Sequence, residues 1–119
     1  MHPESRNHLF FDCAFSFELW SRLSTRCCLA PVSSWEQTVA QMGSLRGGKA
    51  VTLISLLVWQ ATLYWIWNER NGRIHARPFR TVGVIYKAID HQIRNKISSF
   101  RDTSPSLSSK MMQQWFSTA

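Results

Sequence analysis

The chain has 119 residues, 45% of them hydrophobic and 13% aromatic, with six tryptophans. That composition excludes a disordered polypeptide, and the length fits one domain with a modest core. Fourteen Lys and Arg against seven Asp and Glu give a formal charge of +7, which favours polyanions over basic partners.

The N-terminus, Met1 to Asn7, is polar and has no apolar signal core. Residues 4–12 read as a short helix with Ser5 as N-cap and Leu9 and Phe10 inward. Ser16 is placed to cap a second helix over about 17–28. Phe17, Leu19, Trp20, Leu23 and Cys27 keep helical spacing there, and Pro31 ends it. Ser33 or Ser34 caps a third helix through Trp35, Val39 and Met42, stopped at Gly43. Gly47-Gly48 reads as a hinge.

Residues 50–67 are apolar on nearly every side. Such a helix is either a central core helix or a membrane span. Eighteen residues fall at the short limit for a bilayer, which takes about 20. Thr52, Ser55, Gln60 and Thr62 interrupt the run, and the helical pattern continues through Asn68 to His75. A core helix over 49–76 is the expectation. Pro78 breaks the chain. Over 80–101, Val82, Ile85, Ile89, Ile93, Ile97 and Phe100 recur at steps of three and four, an amphipathic stripe. Residues 102–109 read as a Ser-rich loop, and a last short helix carries Met111, Met112, Trp115 and Phe116.

The fold expected is therefore all-α, a small bundle of about four to five helices around a long apolar Trp-rich central helix. Residues 1–101 form the helical domain, and 102–119 form the loop and C-terminal helix. No strand signal, hairpin turn or internal repeat is visible.

Basic charge concentrates in residues 69–101. Arg70, Arg73, Arg77, Arg80, Lys87, Arg94, Lys96 and Arg101 are opposed there only by Glu69 and Asp90, a local charge of +6. A basic stripe attracts nucleic acid or an anionic membrane surface, and it also describes an ordinary solvated helix face. Glu69, Arg70 and Arg73 on consecutive turns could position a phosphate or tie the helix internally through a Glu69–Arg73 pair.

Cys13, Cys27 and Cys28 make an odd count, two of them adjacent. Neither fact suits a disulfide framework, and a reducing compartment, cytoplasm or nucleus, is expected. His8 and Cys13 supply two of the four ligands that a structural zinc takes. Cys27 and Cys28 are too close together to complete the set easily. No zinc or other cofactor is expected.

At Glu4-Ser-Arg-Asn-His8-Leu-Phe-Phe-Asp-Cys13-Ala-Phe-Ser-Phe-Glu-Leu-Trp20 the chain resembles the reverse-transcriptase zinc-binding domain region of plant LINE-type (non-LTR) retrotransposon proteins. A second block, Ile66-Trp67-Asn-Glu69-Arg70-Asn71-Gly-Arg73-Ile74, is similar to the Glu-Arg-Asn-x-Arg stretch that follows the finger in those proteins. The resemblance spans roughly residues 4–75. It implies that His8 and Cys13 stand where the last two zinc ligands stand, and it implies a link to nucleic acid. The first two cysteine ligands precede the position of Met1, so the chain is expected to be a truncated fragment of such an element with a vestigial finger.

Catalytic patterns are lacking. No serine sits in Gly-x-Ser-x-Gly, and Ser44-Leu-Arg-Gly-Gly-Lys49 has the wrong glycine spacing for a phosphate loop. The seven carboxylates are scattered, and His75 and His91 have no partner in register. The expected function is non-catalytic. The first form is weak, non-specific nucleic-acid binding through Arg70, Arg73, Arg77, Arg80, Lys87, Arg94 and Lys96. The alternative is a protein interaction module, by self-association through the Trp-rich helix or by an apolar surface of Met111, Met112, Trp115 and Phe116. A single membrane span over 50–67 comes third.

Overall fold

A computed structural model describes residues 14–32, 34–74 and 80–119, with the side chains of 73 and 74 excepted. The expected helix over 4–12, with His8, Cys13 and Arg77, lies outside these. Five helices and no strand occur among the described residues: α1 Ala14–Arg26, α2 Trp35–Gly43, α3 Lys49–Ile74, α4 Val82–Ser99 and α5 Pro105–Ser117. The protein is all-α, built around the long apolar helix α3, which packs against α1, α4 and α5.

The start of α1 differs from its sequence reading. Ser16 is not its cap but a buried residue inside its first turn. Its end differs too. Cys28 takes a left-handed φ of 59°. Leu29 N–H donates to the Ser24 carbonyl at 2.9 Å and Cys28 N–H to that of Thr25 at 3.0 Å. This paired closure is a Schellman cap, with Cys28 where glycine is usually found. The chain turns at Cys28, three residues before Pro31. In α2, Ser34 is the N-cap, accepting from Gln37 N–H at 3.1 Å. Thr38 is buried there, whereas Val39 faces solvent.

α3 follows the glycine pair, with Gly47 at φ 114° making the turn that a side chain would strain. Its buried face carries Ile54, Ser55, Val58, Ala61, Thr62, Ile66 and Glu69. Ser55 and Thr62 donate to the carbonyls of Val51 and Val58 at 3.0 and 2.7 Å, which satisfies both hydroxyls within the helix. By length and composition alone, Lys49–Gly72 is also apolar enough to cross a bilayer.

α4 is capped by Thr81, which accepts from Val84 N–H. Ile85, Ile89, Ile93 and Ile97 are buried on one stripe, each stabilising by about 1.5–3 kcal/mol. The Ser-rich stretch is not a loop throughout. α5 begins at Pro105, because proline at the first helical position loses no hydrogen bond and has its φ preset. The buried Ser108 hydroxyl donates to the Ile97 carbonyl at 2.8 Å, fastening α5 to the end of α4.

Candidate functional site

The described members of the basic run do not form one face. Glu69, 3% exposed, accepts from Arg80 N–H at 2.8 Å and lies 3.3 Å from its Nε. That engages Arg80 across the α3–α4 connection; the expected Glu69–Arg73 tie falls on a side chain outside those described. Arg94 pairs with Asp90 at 3.2 Å. Lys87 and Lys96 are exposed on α4, but nine residues put them about half a turn apart, and Lys96 leans over the Phe100 ring at 5.7 Å. Arg70 is exposed near the end of α3. Arg77 and the side chain of Arg73 are not described.

The C-terminal aromatic set divides as well. Met111 and Trp115 are fully buried and form part of the core, which corrects the expectation that they present a partner surface. Met112 is half-buried and Phe116 is exposed. Both line a recess of about 570 Å³ beside Arg101.

Trp115 is buried because it closes over a cation that the sequence reading did not single out. Arg26, 5% exposed, donates to Asp90 Oδ1 at 2.8 Å, to the Trp115 carbonyl at 2.7 Å and to the Tyr86 hydroxyl at 3.4 Å. Its guanidinium lies 3.5 Å from the Trp115 ring centroid, a cation–π contact in a dry setting. The Trp115 indole N–H also donates to Asp90 Oδ1 at 2.8 Å. Burial alone would raise the Asp90 carboxyl. The hydrogen bonds from Arg26 and Trp115, with the charges of Arg26 and Arg94, outweigh it and hold the group below its ordinary value. This network joins α1, α4 and α5, and it is structural.

Cys27 is buried, and desolvation pushes its thiol up to about 12 despite a hydrogen bond with Ser55, so it carries no nucleophilic chemistry. Among the described residues no group of three His, Cys, Asp or Glu stands close enough to hold a metal.

Among the described residues, the outer face of α3 stands out as apolar and exposed. Leu56 is 38% exposed, Tyr64 56% and Trp67 55%. Leu53, Leu57 and Leu63 are half-buried beside them, and Gln60 is exposed in the middle. Positions 53, 56, 60, 63 and 67 alternate steps of three and four, with 57 and 64 alongside, all within about 120° of arc. From Ala50 to Asn68 the helix has no charged residue. Trp59 flanks this face, its ring centroid 5.8 Å from that of Trp35 in α2. On the α4 side a cleft of about 270 Å³ opens beside Gln60, lined also by Leu57, Tyr64, Gln92 and Lys96.

No family model, no curated protein and no solved structure matches the chain. The surfaces themselves are what bear on function.

The sequence reading named self-association through this helix but not the face that would carry it. The alternation of three and four was present in 53, 56, 60, 63 and 67. A helix apolar all round conceals which of its faces the bundle leaves outside.

Proposed function

We propose that this chain is a non-catalytic, self-associating helical module whose contact surface is the outer face of α3. The observation that carries the reading is an uncharged apolar seam, about four turns long, with Tyr64 and Trp67 more than half exposed. Such a strip is at the upper end of what a monomer leaves in water, and patches of that size are often functional; large aromatics are what anchor protein contacts. The buried face of the same helix builds the bundle, so a single element serves the core and the contact. Retroelement ancestry is part of this proposal; it rests on the two sequence blocks at 4–20 and 66–74.

Multi-angle light scattering over a dilution series tests it. The chain is expected to shift from monomer towards a larger species as concentration rises. Trp67→Lys places a charge at the end of the seam without touching the core, and losing an anchoring aromatic costs about 2 kcal/mol or more. The variant is therefore expected to stay monomeric with unchanged helicity. A chain that is monomeric throughout, or a variant that associates as before, contradicts the reading.

A second reading has one observation in its favour. Exposed Arg46, Lys49, Lys87, Lys96, Arg101 and Lys110 outnumber exposed Glu18, Glu36 and Asp102. Scattered cations of this kind support weak, sequence-independent contact with nucleic-acid phosphates. Its test is salt: affinity for duplex DNA falls log-linearly by about 0.9 per phosphate neutralised. Affinity that is flat from 50 to 200 mM salt, about the range where such contacts fade, removes it.

A further inference from the structure

We propose that two copies of this chain meet across a two-fold axis that passes at Gln60. This rests on the self-association reading above and specifies its partner and register. In the seam Leu53, Leu56, Leu57, Gln60, Leu63, Tyr64 and Trp67, Gln60 is the one residue with a carboxamide. It is exposed, and nothing among the described residues bonds to it. Covered by an apolar surface, its donors and acceptor would be stranded, which opposes docking. Covered by a second Gln60, each amide donates to and accepts from the other. A closed two-fold contact places the same residue of both copies at its axis. A carboxamide at the centre of such a seam is also the device that fixes register and copy number in paired helices.

Charge and area favour the same partner. The seam lies within a stretch of α3 free of charge from Ala50 to Asn68, so the cation nearest Gln60 comes from α4, where Lys96 lines the far side of the cleft and leans towards the Phe100 ring. An aromatic side chain offers roughly 150–250 Å². With Tyr64 and Trp67 more than half exposed and the leucines and Gln60 beside them, the strip hides roughly 500–600 Å² per copy. The pair then hides about 1,100 Å², close to the lower limit of specific contacts. A reversible dimer with a dissociation constant on the order of 10 µM is expected from so small a contact. The cleft beside Gln60 adds room for side chains of the second copy.

Proximity of the two Gln60 positions is the test. With all three native cysteines replaced by alanine, Gln60→Cys is treated at concentrations above and below the expected constant with a short bismaleimide. Gln113→Cys, exposed on α5, serves as the remote control. Covalent dimer is expected from position 60 at least fivefold above the control, rising with concentration. A companion variant, Gln60→Lys, sets two ammonium groups against each other at the axis and is expected to weaken association at least tenfold, with helicity kept. If the unmodified chain dimerises but position 60 does not cross-link, or Gln60→Lys dimerises normally, the two-fold at Gln60 is wrong while self-association through α3 stands. If Gln60→Cys does not cross-link and the unmodified chain is monomeric at every concentration, both fall.

Discussion

Replacing Arg26 with alanine removes a side chain that ties α1 to both α4 and α5. Its guanidinium holds Asp90 at 2.8 Å and the Trp115 carbonyl at 2.7 Å, and it stacks on the Trp115 ring. Truncation leaves that carbonyl without this donor and opens a cavity against an indole that is 0% exposed. Removing one member of a buried pair costs about 3–5 kcal/mol. Asp90 keeps Arg94 and the Trp115 indole, and about a quarter of its side chain reaches water. The lower end applies, about 3 kcal/mol, or roughly 12 °C in Tm for a chain of this size. Arg26→Met, which fills the space without the charge, costs less than Arg26→Ala. Asp90→Ala costs at least as much as Arg26→Ala, because it leaves the guanidinium buried without its carboxylate. Thermal unfolding by circular dichroism at one fixed concentration gives all three, and the double variant gives a coupling of more than about 1 kcal/mol. An Arg26→Ala loss below about 1 kcal/mol, or strict additivity with Asp90→Ala, refutes the view that this network holds the helices together.

Further outcomes follow from the same contacts. Asp90 has its carboxyl held below 3.8 in the fold, so its stabilisation is complete above that ordinary value and is lost as pH falls through the depressed one; acid unfolding of Asp90→Asn should show a shallower decline there than the unmodified chain. Cys28 stands at a left-handed φ of 59° that costs a non-glycine residue about 1–2 kcal/mol; after the extra chain entropy of glycine, Cys28→Gly should raise stability by about 0.5–1 kcal/mol, read as a higher Tm. Cys28 is exposed and Cys27 is buried with its thiol pushed up to about 12; alkylation at mild alkaline pH with peptide mapping should label the first and spare the second until the chain unfolds.

The parts of the fold that depend on near neighbours were legible in the sequence. Ser34 capping α2, the length of α3 and the isoleucine stripe of α4 each follow from residues within one or two turns. What depends on distant partners was not. Arg26 has nothing local to mark it as buried, since its partners Tyr86, Asp90 and Trp115 lie 60, 64 and 89 residues away. The same network draws Trp115 inward, so of the two outcomes open to the last helix, docking back or meeting a partner, Trp115 takes the first. Pro105 after Ser104 reads as a loop, and the contacts that make it the first turn of a helix, the Ser108 bond to α4 and the burial of Met111 and Trp115, are made with distant residues. The basic run misled for a related reason. Charges close in sequence were read as one stripe, yet Arg80 and Arg94 are engaged by Glu69 and Asp90, and Lys87 and Lys96 point to opposite sides.

Whether the outer face of α3 closes against another chain is read most directly by hydroxyl-radical footprinting of the unmodified chain at low and high concentration. Tyr64 and Trp67, at 56% and 55% exposure, should be oxidised when dilute and protected when concentrated, while Phe116, at 54%, is oxidised equally in both. Equal oxidation of Tyr64 and Trp67 at every concentration, or protection confined to Phe116, would contradict it.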